Sequence, residues 1–117
     1  RLRLLHLDLT FKWEVSMSRI NLQSELEILL GSKEVYFQPP RSIQMRYPAI
    51  VYNLDRIDAR SADDKHYFMK NRYAIVFMTK DPDSDLPTRL LEHFPMSTYD
   101  RSARSDNLYH HYLTLYY

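Results

Sequence analysis

The stretch His66–Lys80, HYFMKNRYAIVFMTK, decides how the rest of the chain is read. Its side chains alternate with the two-residue period of a strand. Tyr67, Met69, Tyr73, Ile75 and Phe77 fall on one side, with Phe68, Lys70, Arg72, Val76 and Met78 on the other. Beyond Tyr73 both sides are largely apolar, which predicts a central strand covered on both faces.

On the C-terminal side, Asp81-Pro82-Asp83-Ser84-Asp85 breaks this strand and caps a short helix. Pro87 falls in its first turn, and Leu86, Leu90, Leu91 and Phe94 form its apolar stripe. The end of the chain reads as a hairpin. One strand covers about Met96–Arg104, the turn is near Ser105-Asp106-Asn107, and the return strand covers Leu108–Tyr117.

On the N-terminal side, Asp55–Lys65 is a run of mixed charge without Gly or Pro, read as an exposed loop. Tyr47–Leu54 (YPAIVYNL) reads as a strand, with Pro48 tolerated at its start or at a sheet edge. Val35–Gln38 is a short strand stopped by Pro39-Pro40, because proline donates nothing to a ladder. From Ser18 to Leu30, the residues Ile20, Leu22, Leu26, Leu29 and Leu30 fall mostly at helical spacing. Ser18 or Asn21 is placed to cap that helix, and Gly31 sits where a left-handed C-cap is wanted. The predicted order is α-β-β-β-α-β-β. It defines an α+β domain, an antiparallel β-sheet with two helices packed on one face.

The first sixteen residues carry two readings. Leu5, Leu7, Leu9, Phe11, Trp13 and Val15 alternate with His6, Asp8, Thr10, Lys12 and Glu14, as an added half-buried strand would. Yet Trp13-Glu14-Val15 before Met17 can be encoded with GGAGGTG, a bacterial ribosome-binding sequence, shortly before a start codon. On that reading residues 1–16 are upstream read-through and Met17 opens a single domain over residues 17–117.

Composition narrows the function classes. The chain has 117 residues, one domain's worth, with 44% hydrophobic and 26% charged residues, as ordinary globular proteins have. Net charge is +1, so no overall field recruits nucleic acid or an anionic membrane. No apolar run approaches the roughly 20 residues of a membrane span, and Arg3, His6 and Asp8 interrupt the N-terminal leucines. Without cysteine there is no disulfide, thiolate nucleophile or cysteine-held metal. A single glycine, Gly31, leaves no glycine-rich phosphate cradle. Ten tyrosines suit half-buried strand positions and subunit contacts alike.

No catalytic or metal constellation emerges, and no cofactor is expected. Of His6, His66, His93, His110 and His111, the adjacent pair points to opposite strand faces and cannot chelate one ion. Asp81, Asp83 and Asp85 begin like a calcium loop but lack its central glycine, so helix capping is preferred. The remaining carboxylates sit beside arginines, as on a solvated surface, rather than in a dry cleft. Arg41, Arg46 and Tyr47, Lys70, Arg72 and Tyr73, and Arg101 and Arg104 interleave basic and aromatic groups. That pattern allows weak backbone contact with nucleic acid.

Three stretches carry a resemblance: Tyr47–Asp58 (YPAIVYNLDRID), Asp81–Glu92 (DPDSDLPTRLLE) and Ser97–Tyr117 (STYDRSARSDNLYHHYLTLYY). They are similar to the tail completion, or tail terminator, proteins of tailed bacteriophages and prophages, chiefly those of Gram-positive hosts. The ordered set of pieces resembles that family over about residues 25–117: an LExLL-type helix, a strand ending in Pro-Pro, a Tyr-Pro-initiated strand, a DPDS-capped helix and a D-N-L-x-H hairpin. No single piece is diagnostic. The resemblance implies a structural virion protein, not an enzyme, forming a homo-hexameric ring at the tail–neck junction. Such a ring caps the tail tube, ends its polymerisation and meets the head completion or connector protein on its other face. Weak DNA contact in the lumen is compatible with it, and a membrane is not involved. On this basis the loop residues Asp55, Arg56, Asp58, Arg60, Asp63, Asp64 and Lys65 are assigned to axial or neighbour contacts. Tyr109, Tyr112, Tyr116 and Tyr117 are candidates for packing between subunits. Another neck component (a stopper or adaptor) and a small nucleic-acid-binding protein are the competing readings.

Overall fold

In the computed structural model, which describes residues 19–61 and 67–117, helix α1 covers residues 19–30. Leu22 and Leu26, one turn apart, are fully buried, and Leu29 and Leu30 pack against the same core. This is the stripe that an amphipathic helix turns inward. Ile20 does not share it, lying about half exposed at 46%. Asn21 lies within the helix rather than capping it, and Ser18 is outside the described residues. Gly31 closes the helix at a φ of 82° and donates its N–H to the Glu27 carbonyl at 2.9 Å, the left-handed cap that its position predicts.

The remaining elements are β1 (Val35–Phe37), β2 (Ala49–Ser61), β3 (Tyr67–Thr79), α2 (Leu86–His93), β4 (Ser97–Ser105) and β5 (Leu108–Tyr116). The strands form one sheet in the order β1-β2-β3-β5-β4. The fold class is α+β, and three of the four strand pairings are antiparallel. The exception is β1, which runs parallel to β2 because the connection Gln38–Pro48 carries the chain back along the sheet. Gln38, at a φ of 46°, ends β1: its N–H meets the Tyr52 carbonyl and its side-chain carbonyl accepts from the Leu54 N–H. Pro39-Pro40 then prevents any continuation.

Two expectations change. Asp55–Ser61 is not a loop but the second half of β2, paired residue by residue with β3 from Arg56↔Arg72 to Ser61↔Tyr67. Polar composition suggested a loop, but a strand that is solvated needs no apolar alternation, and Asp55, Arg56 and Ile57 are exposed. A register shift between Leu54 and Arg56 marks where the strand leaves the core. The other change concerns β3. It is central in the sheet, but the described residues cover only one of its faces. From Asn71 to Thr79 burial alternates strictly, with Tyr73, Ile75 and Phe77 buried and Ala74, Val76 and Met78 only half-buried.

The covered face holds the core. Val35, Ile50, Tyr52, Tyr73, Ile75, Phe77, Leu113 and Leu115 meet Leu22 and Leu26 of α1 and Leu86, Leu90 and Phe94 of α2. Of the predicted α2 stripe, Leu91 is half-buried and packs at its margin. Asp85 holds the N-cap position without a side-chain capping bond, and Asp81 and Ser84 instead accept from the Asp83 and Leu86 N–H groups in the preceding turn. Burying each such Leu or Phe contributes on the order of 1.5–3 kcal/mol. The β4–β5 hairpin turns on Asp106 and Asn107, with φ of 54° and 62°. Positive φ at both central residues is the two-residue turn that matches strand twist, and Asn and Asp tolerate it best among residues with a side chain.

Candidate functional site

Because β-strand side chains alternate, the residues left off the helix-covered face collect on the other. Register places Val51 of β2, Ala74, Val76 and Met78 of β3, and His110, Tyr112, Thr114 and Tyr116 of β5 on that second face. Val51 lies opposite Val76, which lies opposite Tyr112. All eight are half-buried, and no described element packs over them. A shallow concavity of about 340 Å³ between Met96, Thr98, Thr114 and Tyr116 continues this surface at one end.

Charged and polar groups surround the apolar strip. Arg101 of β4 lies over the Tyr112 ring at 3.9 Å from its centre. Arg72 pairs with Asp55 at 2.8 Å. Asp100, the extra residue at the register shift in β4, accepts from Thr114 at 2.6 Å and from Thr98 at 3.3 Å. An apolar centre with a hydrogen-bonded rim carrying both signs of charge is the anatomy of a protein–protein interface.

The sequence-assigned residues divide. Tyr112 and Tyr116 lie on the open face, while Tyr109 and Tyr117 point to the other side. Tyr109 stacks under Arg104 at 5.3 Å. Tyr117 packs edge-on against Phe94 and donates to Glu25, at the margin of the core. Asp55 and Arg56 sit at the start of the projecting half of β2, and Asp58 and Arg60 pair with Lys70 and Phe68 within it. Asp63, Asp64 and Lys65 are outside the described residues.

Val51, Ala74, Val76 and Met78 were not singled out as site residues by sequence, although their signal was present. The two-sided apolarity of His66–Lys80 predicts cover on both faces, whereas the described residues cover one.

The described histidines do not converge. His93 of α2 bonds Glu25 of α1 at 2.8 Å, and His111 bonds the Tyr99 hydroxyl at 2.8 Å while stacking on Phe77. Burial, with His110 beside it, pushes the His111 imidazole below its ordinary pKa. His110 is on the open face, stacked on Tyr112, and His6 and His66 are outside the described residues. Burial alone would raise the Glu25 carboxyl, but bonds from Tyr117 and His93 outweigh it and hold it below the usual carboxylate value. Burial and the same Glu25 push the Tyr117 hydroxyl up to about 12. These contacts fasten α1, α2 and the chain end together, which is a structural task. Among the described residues no group of three or more His, Asp or Glu is placed to hold a metal ion. Nor is any described helix long and apolar enough to cross a membrane.

Compared with protein-family models, with curated proteins and with solved structures, the chain matches none of them.

Proposed function

We propose that this chain is a structural subunit that assembles with copies of itself through the open face of its sheet, as a tail-terminator-like ring at the end of a phage tail tube. The uncovered strip Val51–Val76–Tyr112, with Met78 and Tyr116 beside it, carries the reading. A strand apolar on both sides gains by covering both, and the described residues cover one. A second copy suits the rim, because Arg72, Arg101, Asp55 and Asp100 offer both signs of charge to a complementary patch elsewhere on a neighbour. In a ring each copy presents one patch to the next around a closed circle, which leaves two chemically distinct ring faces. One would dock on the tube and the other on the head completion protein, and the virion is where such a ring resides.

The reading is mechanical and involves no catalysis or cofactor. Arg101 and Arg104 are engaged with tyrosine rings and Arg72 with Asp55, which fits weak DNA contact in an assembled lumen better than binding by the free subunit. Light scattering across a dilution series tests the assembly step. The expected result is a hexamer that dissociates on dilution. A monomer at every concentration that nonetheless joins a portal-side connector would favour a neck adaptor, and a monomer that binds DNA with a steep salt slope would favour a nucleic-acid-binding protein.

A further inference from the structure

On the ring reading above, on which this step rests, we infer that the outer ridge of α1, Ile20–Ser24–Ile28, is the surface that the open sheet face of a neighbouring copy covers. A ring needs two different patches on each subunit, and this ridge is the second.

Among the described residues, two of the large apolar side chains most open to water stand on α1. Ile20 is 46% exposed and Ile28 78%. They are eight residues apart with Ser24 midway, and that spacing of four puts all three in one ridge along the helix. The same helix buries Leu22 and Leu26 against the sheet. It is therefore apolar on two sides, as β3 is, and a helix of that kind gains by being covered twice. Of the other exposed apolar side chains, Met96 already belongs to the open face and Tyr99 bonds His111. Tyr47 and Ile57 are single side chains on other segments.

The ridge matches the open strip in length, relief and charge. At 1.5 Å per residue, Ile20 and Ile28 stand about 12 Å apart. Ala74, Val76 and Met78, on the open face of β3, span about 13 Å at strand spacing. Ser24 is small, so the middle of the ridge can approach Val76 closely. Its hydroxyl donates to the Ile20 carbonyl at 3.2 Å, so covering it leaves no donor stranded. Beside Ile28 lies a shallow concavity of about 420 Å³ that Glu27 and Lys33 also line. Glu27 accepts only a neutral bond, from Gln23 at 2.9 Å, and Lys33 has no acidic partner among the described residues. Their charges are opposite to those of Arg101 and Asp100 at the rim of the open face.

The two patches lie on opposite sides of the subunit, because α1 packs on the covered face of the sheet and its ridge points away from it. Contact between them is heterologous. Any pair of copies leaves one patch of each kind unused, so the contact propagates until the circle closes. Two open faces meeting each other would instead stop at a dimer.

Sedimentation velocity on the full chain and two variants tests this, alone and mixed. Ile28→Arg puts a cation in the last turn of α1, where the helix dipole favours it. Its circular dichroism and urea midpoint should match the wild type, while the concentration needed for assembly should rise at least ~100-fold. Val76→Asp blocks the open face in the same assay. An equimolar mixture of the two variants should form one-to-one heterodimers, since each supplies the patch that the other lacks, and should go no further. Folded Ile28→Arg chains that assemble at the wild-type concentration, that form dimers alone, or that stay monomeric beside Val76→Asp overturn the inference, with the open-face reading left standing. A wild type that is monomeric at every concentration overturns both.

Discussion

Ile75 and Val76 are adjacent on β3 yet face opposite sides of the sheet, so substituting each separates folding from assembly. Ile75 is 2% exposed against the helices. Ile75→Ala removes three methyl(ene) carbons from a packed core and should cost about 2–4 kcal/mol of folding stability. Val76 is half-buried with no described element above it. Val76→Asp keeps its carboxylate at the water boundary of the free subunit, so folding should lose only roughly 1 kcal/mol. In an assembly that covers Val76 the same carboxylate is buried without a partner, a penalty of about 3–5 kcal/mol per contact. At about 1.4 kcal/mol per tenfold, each contact weakens roughly a hundred- to several-thousand-fold. Urea denaturation reads the first quantity and sedimentation velocity the second. Ile75→Ala should lower the urea midpoint and still assemble where folded, while Val76→Asp should fold and sediment as a monomer. A folded Val76→Asp chain that assembles at the wild-type concentration would refute the placement of the interface on this face.

Further outcomes follow from the same geometry. Glu25 is held below its ordinary pKa by Tyr117 and His93, so its contribution is present above the ordinary carboxylate pKa and is lost as pH falls through the depressed value. Acid titration of stability should show that step in the wild type and not in Glu25→Gln. At the alkaline end an unfolded Tyr117 ionises near about 10. The folded chain keeps it protonated to about 12, so stability should fall across that window, and Tyr117→Phe should remove this part of the fall. Gly31→Ala should cost about 1–2 kcal/mol by denaturation. No atom lies within 4 Å of the added carbon, so that cost comes from the left-handed backbone alone. In a fluorescence-anisotropy titration the free chain, at net charge +1, should bind duplex DNA more weakly than about 10⁻⁴ M at physiological salt.

Periodicity made most of the fold legible. The strand and helix positions around Val35–Phe37, Ala49–Leu54, Leu86–His93 and the Asp106-Asn107 hairpin follow from alternation, proline stops and turn residues that act locally. The parallel pairing of β1 was not legible, because a three-residue strand carries no local mark of its direction. Asp55–Ser61 was misread for a related reason: a strand outside the core has no apolar face to betray it. The open face was half legible. The sequence of β3 demanded cover on both sides, and only the topology shows that α1 and α2 both lie on one. Tyr112 and Tyr116 were separable from Tyr109 and Tyr117 by alternation, but which pair faces the helices depends on the register with Ile75 and Phe77.

The most direct measurement is electron microscopy of the purified chain mixed with polymerised phage tail tubes. A single ring should be seated on one end of each tube, with Val76→Asp failing to form it. Tubes with bare ends at saturating protein, or binding along their sides, would contradict it.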